Sequence, residues 1–171
     1  MDATFECRER VQEEHEIQYE FILMDVAGGE QPPFMQYYQT ECEELPTSWT
    51  FRMRNQQVMD TGIVSSSVIL RRDDSTNKPV HALVLVSSFD TSYIDSIPRC
   101  SNVFENDTMS PGDELHGFIP HLAQFPSLKN CVLHKALVVI RIVICDCHQE
   151  RNEDSITSES DDNSITFPSN I

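Results

Sequence analysis

Basic residues are scarce in this chain. Its 171 residues carry 12 Lys and Arg against 28 Asp and Glu, a formal net charge of -16. Such a field repels phosphate backbones, so nucleic-acid binding would need a basic patch to offset it. The only dense basic spots are Arg52/Arg54 and Arg71/Arg72, each read as a solvated pair in a strand or beside a turn. Nucleic acids and anionic membranes are therefore not expected partners. Long apolar runs are missing too. Residues 2–16 are strongly charged, so no secretory signal is expected. The longest apolar run, 136–145, is interrupted by Arg141 and is too short to span a bilayer. Without a secretory route, the six cysteines are expected to be reduced thiols in a cytoplasmic or nuclear protein. The sequon Asn106-Asp107-Thr108 then stays unglycosylated.

What is present is alternation of period two. Ile17, Tyr19, Phe21 and Leu23 alternate with more polar neighbours, as do Trp49, Phe51 and Met53 with Thr50, Arg52 and Arg54. That spacing predicts strands buried on one side. Residues 34–40 form a further short strand. Residues 63–70 and 80–86 are β-branched, and with the polar turn 71–78 between them they suggest a hairpin. A strand is expected at 100–104, a polar loop at 105–115, and a short helix or ordered turn at 116–128. Residues 137–145 are apolar on both faces, which predicts a central strand. From Gln149 acids and serines dominate, and such a stretch cannot bury enough apolar area to fold alone. The expected organisation is a charged arm over 1–14, an all-β antiparallel sandwich of seven or eight strands over 15–148, and a disordered acidic tail over 149–171.

Three stretches together resemble the MATH (meprin and TRAF homology) family. The first is 15–23, with its aromatic strand. The second is Leu45-Pro46-Thr47-Ser48-Trp49 through Met53, followed by 63–86. The third runs from His116-Gly117-Phe118-Ile119-Pro120 to the closing strand at 135–140. The layout is most similar to the speckle-type POZ protein group. The resemblance implies a TRAF-like sandwich that binds extended segments of partner proteins in a shallow groove, as an adaptor or as a substrate reader in ubiquitin-ligase pathways. Position by position it implies a groove at Ile63, Leu83, Asn102, His116, Gly117 and Phe118, with Gly117 admitting a peptide backbone and Phe118 as the groove aromatic. His116 stands where the family commonly has Trp. Neither a trimerising coiled coil nor a BTB domain is evident. The oligomeric state stays open, and the alternative reading is a self-assembling subunit with a vestigial groove.

Other constellations have simpler readings. Cys145-Asp146-Cys147-His148 lacks the two separated pairs of a structural zinc site, so packing or free thiols are favoured and no metal or cofactor is expected. Cys131 with His134 or His121 could form a thiol nucleophile pair, but the spacing does not bring a base to the sulfur, and no enzymatic activity is expected. Tyr19, Phe21 and Trp49 read as core. Arg141 reads as snorkelling to an edge or as paired with an acid such as Glu20 or Asp146, a structural role ranked above binding. Ser158 and Ser160, flanked by acids, are candidate phosphorylation sites in a solubilising tail.

Overall fold

The computed structural model describes residues 3–8, 14–24, 32–58, 60–91, 98–125 and 135–145, and side chains from His15 onward. The described residues form strands and turns only, so no helix is long and apolar enough to cross a membrane. In chain order the strands are β1 (Ala3–Arg8), β2 (Glu14–Met24), β3 (Phe34–Gln39), β4 (Ser48–Gln57), β5 (Ile63–Arg72), β6 (Val80–Asp90), β7 (Cys100–Met109), β8 (Glu114–Gln124) and β9 (Lys135–Cys145). They make two antiparallel sheets, ordered β1-β2-β9-β6-β7 and β3-β4-β5-β8. Strands β2–β9 supply the expected sandwich as two four-stranded layers. The charged arm adds β1 to the edge of the first, pairing Ala3 with Phe21 and Arg8 with Glu16.

The alternating residues meet between the sheets. From β2, Ile17, Tyr19, Phe21 and Leu23 are buried, and from β4 Trp49, Phe51 and Met53 are buried opposite them. Phe34 on β3 ties the layers together. Its ring stacks on Phe21 at 4.9 Å and lies edge-on to Tyr19 at 5.8 Å and to Phe51 at 6.2 Å. Such aromatic contacts contribute about 0.5–1.5 kcal/mol each beyond area burial. Trp49 keeps its polar edge satisfied, donating Nε1–H to Thr47 Oγ1 at 2.8 Å. β9 lies between β2 and β6, as its doubly apolar sequence implied. Arg141 on β9 points outward and meets Glu16 at 3.4 Å and Gln18 Oε1 at 3.3 Å, so among the described residues its acid is Glu16 rather than Glu20; Asp146 lies outside the described residues.

Three expectations are corrected. Residues 63–70 and 80–86 do not form a hairpin: β5 pairs with β4 and β8, whereas β6 pairs with β7 and β9 in the other sheet. The polar turn between them crosses from one layer to the other. The polar stretch 105–109 continues β7, because an edge strand tolerates Glu105 and Asp107 on its outer side. Residues 116–124 are strand β8 rather than helix. Leu115, Ile119 and Leu122 are buried, and an irregularity of β8, where Pro120, His121 and Leu122 stand against the single Ser65 of β5, absorbs the break in strict alternation.

The crossing is held by Arg72, which was expected to be solvated and is 0% exposed. Nε and Nη2 donate to the two carboxylate oxygens of Asp74 at 2.8 and 3.0 Å. Nη1 donates to the carbonyls of Lys78 and Met109, and Nη2 to that of Thr76. One side chain from β5 thereby fixes the crossover and reaches β7 in the other sheet. Burial pushes the Asp74 carboxyl upward, but the Arg72 hydrogen bonds, backbone N–H donors from Thr76 and Ser48 and the guanidinium charge outweigh it. The net result is a pKa below the ordinary carboxylate value.

Candidate docking face

β7 and β8 are the last strands of their sheets, and they lie side by side at one margin of the sandwich. The proposed groove residues converge there only in part. His116, Gly117 and Phe118 are consecutive on β8. His116 and Phe118 point outward opposite Ile69 and Ser67, and Phe118 is 63% exposed. Ile63 is half-buried at the start of β5, paired with Gln124 at the far end of β8. Leu83 alternates with buried Ala82 and Val84, so it faces outward from the other sheet, opposite Glu105. Asn102 pairs with core residue Val86, and its amide donates to Cys100 Sγ at 2.8 Å.

Gly117 has a role different from the one its resemblance implied. It is paired with core residue Val68, and a Cβ built there would lie 2.6 Å from the ring of Phe104 on β7. Its missing side chain admits an aromatic ring of the same chain, which closes the margin between the two sheets. Gly62 serves the other end of β8. Its positive φ of 66° turns β4 into β5, and its carbonyl accepts from Phe125 N–H at 2.8 Å.

The outer face of the four-stranded sheet is built in rows by the strand register. One row runs Tyr37, Thr50, Arg71, Glu114; the next runs Met35, Arg52, Ile69, His116; the third runs Arg54, Ser67, Phe118. Three arginines thus share this face. A shallow depression of about 290 Å³ lies among Tyr37, Thr50, Arg52, Ile69, Arg71 and Glu114. Arg71 is held by Asp73 at 3.0 Å, which also accepts from the Thr50 hydroxyl. His116 Nε2 lies 3.0 Å from Glu114. Arg52 and Arg54 have no ion pair or hydrogen bond from their side chains among the described residues. The sequence carried a sign of this cluster, because alternation opposite Phe51 and Met53 puts Arg52 and Arg54 on the outer side. Their convergence with Arg71, Tyr37 and Phe118 depends on register between strands distant in the chain.

The opposite outer face carries a different cluster. His81 Nε2 stands 3.3 Å from Glu105 and 3.7 Å from Asp107, with both carboxylates exposed. These three offer a set of atoms within metal-ligating distance of one another, a geometry that exposed carboxylates also adopt beside a histidine without an ion. Cys145 lies in register with His81 across β9. Cys147 and His148 fall outside the described residues, as do Cys131 and His134 of the thiol pair, and Ser158 and Ser160 of the tail. His121 is exposed on β8. No family model and no curated protein sequence matches this chain.

Proposed function

We propose that this chain is a divergent, MATH-like protein-interaction adaptor that binds an extended segment of a partner protein along β8. The observation that carries the reading is the strand order. Among the described strands β8 ends its sheet, so its side away from β5 offers backbone N–H and C=O groups to an added strand over the part around exposed Phe118, while the Leu122 carbonyl further along already accepts from Ser88 Oγ. Main-chain hydrogen bonds from such an edge give affinity, and neighbouring side chains select the sequence. Phe118, His116 and Ile63 would line the partner on the outer side, and Asn102 would bound it from β7, whereas Leu83, outward on the opposite face, would not reach it. Gly117 acts through Phe104 packing rather than by touching the peptide. Action as a substrate reader in ubiquitin-ligase pathways, in the cytoplasm or nucleus, is the finer form of this reading and rests on the resemblance alone. The chain acts by binding, without catalysis or a cofactor.

The test is selection from a displayed random-peptide library, followed by titration of the winners. Phe118→Ala should lower their affinity by about 10-fold, the effect of losing about 1.4 kcal/mol of contact, while the thermal midpoint stays within about 2 °C. Absence of enrichment, or winners indifferent to Phe118, would sink the reading. The same edge also supports a second reading, a self-assembling subunit in which β8 pairs with β8 of another copy. Light scattering at high concentration decides it: a strictly monomeric mass removes self-assembly.

A further inference from the structure

Arg52 and Arg54 are the anomaly of the surface. In a chain of net charge -16, Arg52 and Arg54 have no ion pair or hydrogen bond from their side chains among the described residues, on a face where Asp73 is engaged by Arg71 and Glu114 by His116. The other outer face places Glu16, Glu20, Glu105 and Asp107 around Arg141 and His81, and Arg141 is already engaged by Glu16. An acidic ligand is therefore attracted to the outer face of β4 and β5 and repelled from its counterpart.

The sequence contains such a ligand. Beyond β9 it holds Asp146, Glu150, Glu153, Asp154, Glu159, Asp161 and Asp162 against one base, Arg151. The point of departure is favourable. Cys145, the last residue of β9, is in register with His81 at the start of β6; adjacent Val80 pairs with Met109, whose carbonyl accepts from Arg72. The chain therefore leaves β9 at the end of the sandwich where Arg71 and Arg72 lie. With sheets about 10 Å apart, roughly eight residues, which span about 26 Å when extended, would be enough to reach the arginine face from that end. Glu153 and the acids after it then lie within reach. Alternate residues of an extended chain repeat at about 7 Å, the same spacing as the rows that hold Arg71, Arg52 and Arg54.

We infer that the acidic segment 150–162 docks in cis on the arginine-bearing outer face of β4 and β5 and there competes with a partner peptide for the surface beside β8. The contact itself stands on charge and reach; the competition rests on the peptide-binding reading above. Phosphate on Ser158 or Ser160 would add charge to the docked segment and tighten it.

The test uses the full chain. Arg52 and Arg54 side-chain Nε–H signals and the Ile69 and Phe118 amides are followed by NMR. The wild type is compared with a variant carrying Glu150→Gln, Glu153→Gln, Asp154→Asn, Glu159→Gln, Asp161→Asn and Asp162→Asn. Docking predicts that neutralising the tail moves these signals and leaves those of His81 and Glu105 in place. Salt at about 0.5 M should reproduce the shift, since it screens charges beyond about 4 Å. Affinity for a library-selected peptide should rise about three-fold in the neutralised variant, as expected if roughly two-thirds of the wild-type molecules are docked. Identical arginine signals in both chains would overturn the docking, and shifts that grow with protein concentration would overturn the cis contact in favour of a second copy. Shifts at the arginines with unchanged peptide affinity would overturn the competition alone, so failure of the tail contact and failure of the peptide site are read from different measurements.

Discussion

Arg71 and Arg72 are neighbours on β5, yet they belong to different worlds. Arg72 points inward, is fully buried, and spends its guanidinium on Asp74 and on the carbonyls of Thr76, Lys78 and Met109. Arg71 points outward into the shallow depression with Arg52 and Tyr37. The same alternation runs along β4, where Trp49, Phe51 and Met53 face in and Thr50, Arg52 and Arg54 face out. The inner side of this sheet makes the fold and the outer side is left for recognition. Strict alternation allows one strand to do both, because a substitution on one side barely touches the other.

If that division is sound, the largest effect on stability comes from Arg72. Arg72→Ala strands the Asp74 carboxylate and the carbonyls it served, and should cost about 3–5 kcal/mol, the range for breaking a buried ion pair. Urea unfolding measures it. A loss under 1 kcal/mol would mean that Arg72 does not bridge the layers. Gly117→Ala comes next. Its Cβ meets the Phe104 ring, and overpacking of this kind costs about 1–3 kcal/mol. Phe104→Leu should restore part of that loss; a loss indifferent to residue 104 would break the account of the closed margin.

Acid should attack the inner side selectively. Because the folded-state pKa of Asp74 lies below its unfolded value, its contribution is fully present above about pH 4 and disappears as the pH falls through the lower, folded value. The stability gap between wild type and Asp74→Asn should therefore hold at pH 6 and narrow progressively below pH 4. A gap that persists unchanged to pH 2 contradicts the clamp. The smallest effects on stability belong outside. Arg52→Glu with Arg54→Glu should stay within about 1 kcal/mol of wild type, as exposed substitutions do. The same pair should weaken an acidic peptide at least 10-fold.

The sandwich was legible because burial on one face writes a period of two into β2 and β4, and because β9, apolar on both faces, reads as a central strand. The core positions Tyr19, Phe21 and Trp49 follow from it directly. The pairing was less so. β5 and β6 are adjacent in sequence and read as a hairpin, but the buried guanidinium of Arg72 makes the polar turn a crossover between sheets. A charged residue in a polar stretch gives no local sign that its partners lie 37 residues away at Met109. The spacing of Leu122 and Phe125 fits a short helix or an ordered turn as well as a strand, and the register shift opposite Ser65 is invisible without the partner strand. Of the groove residues, His116 and Phe118 fall on the exposed side of β8, while Gly117 turned out to serve Phe104. Whether a glycine makes room for a ligand or for its own chain depends on what lies across the sheets, which one strand cannot disclose.

The central claim is that the outer edge of β8 receives an extended partner segment. Backbone amide hydrogen exchange, with and without a saturating selected peptide, addresses it most directly. The β8 amides that do not bond to β5 should slow on peptide addition, while those on the outer edge of β3, at the far side of the same sheet, should not change. Slowing confined to β3, or no slowing in either edge strand, would contradict the claim.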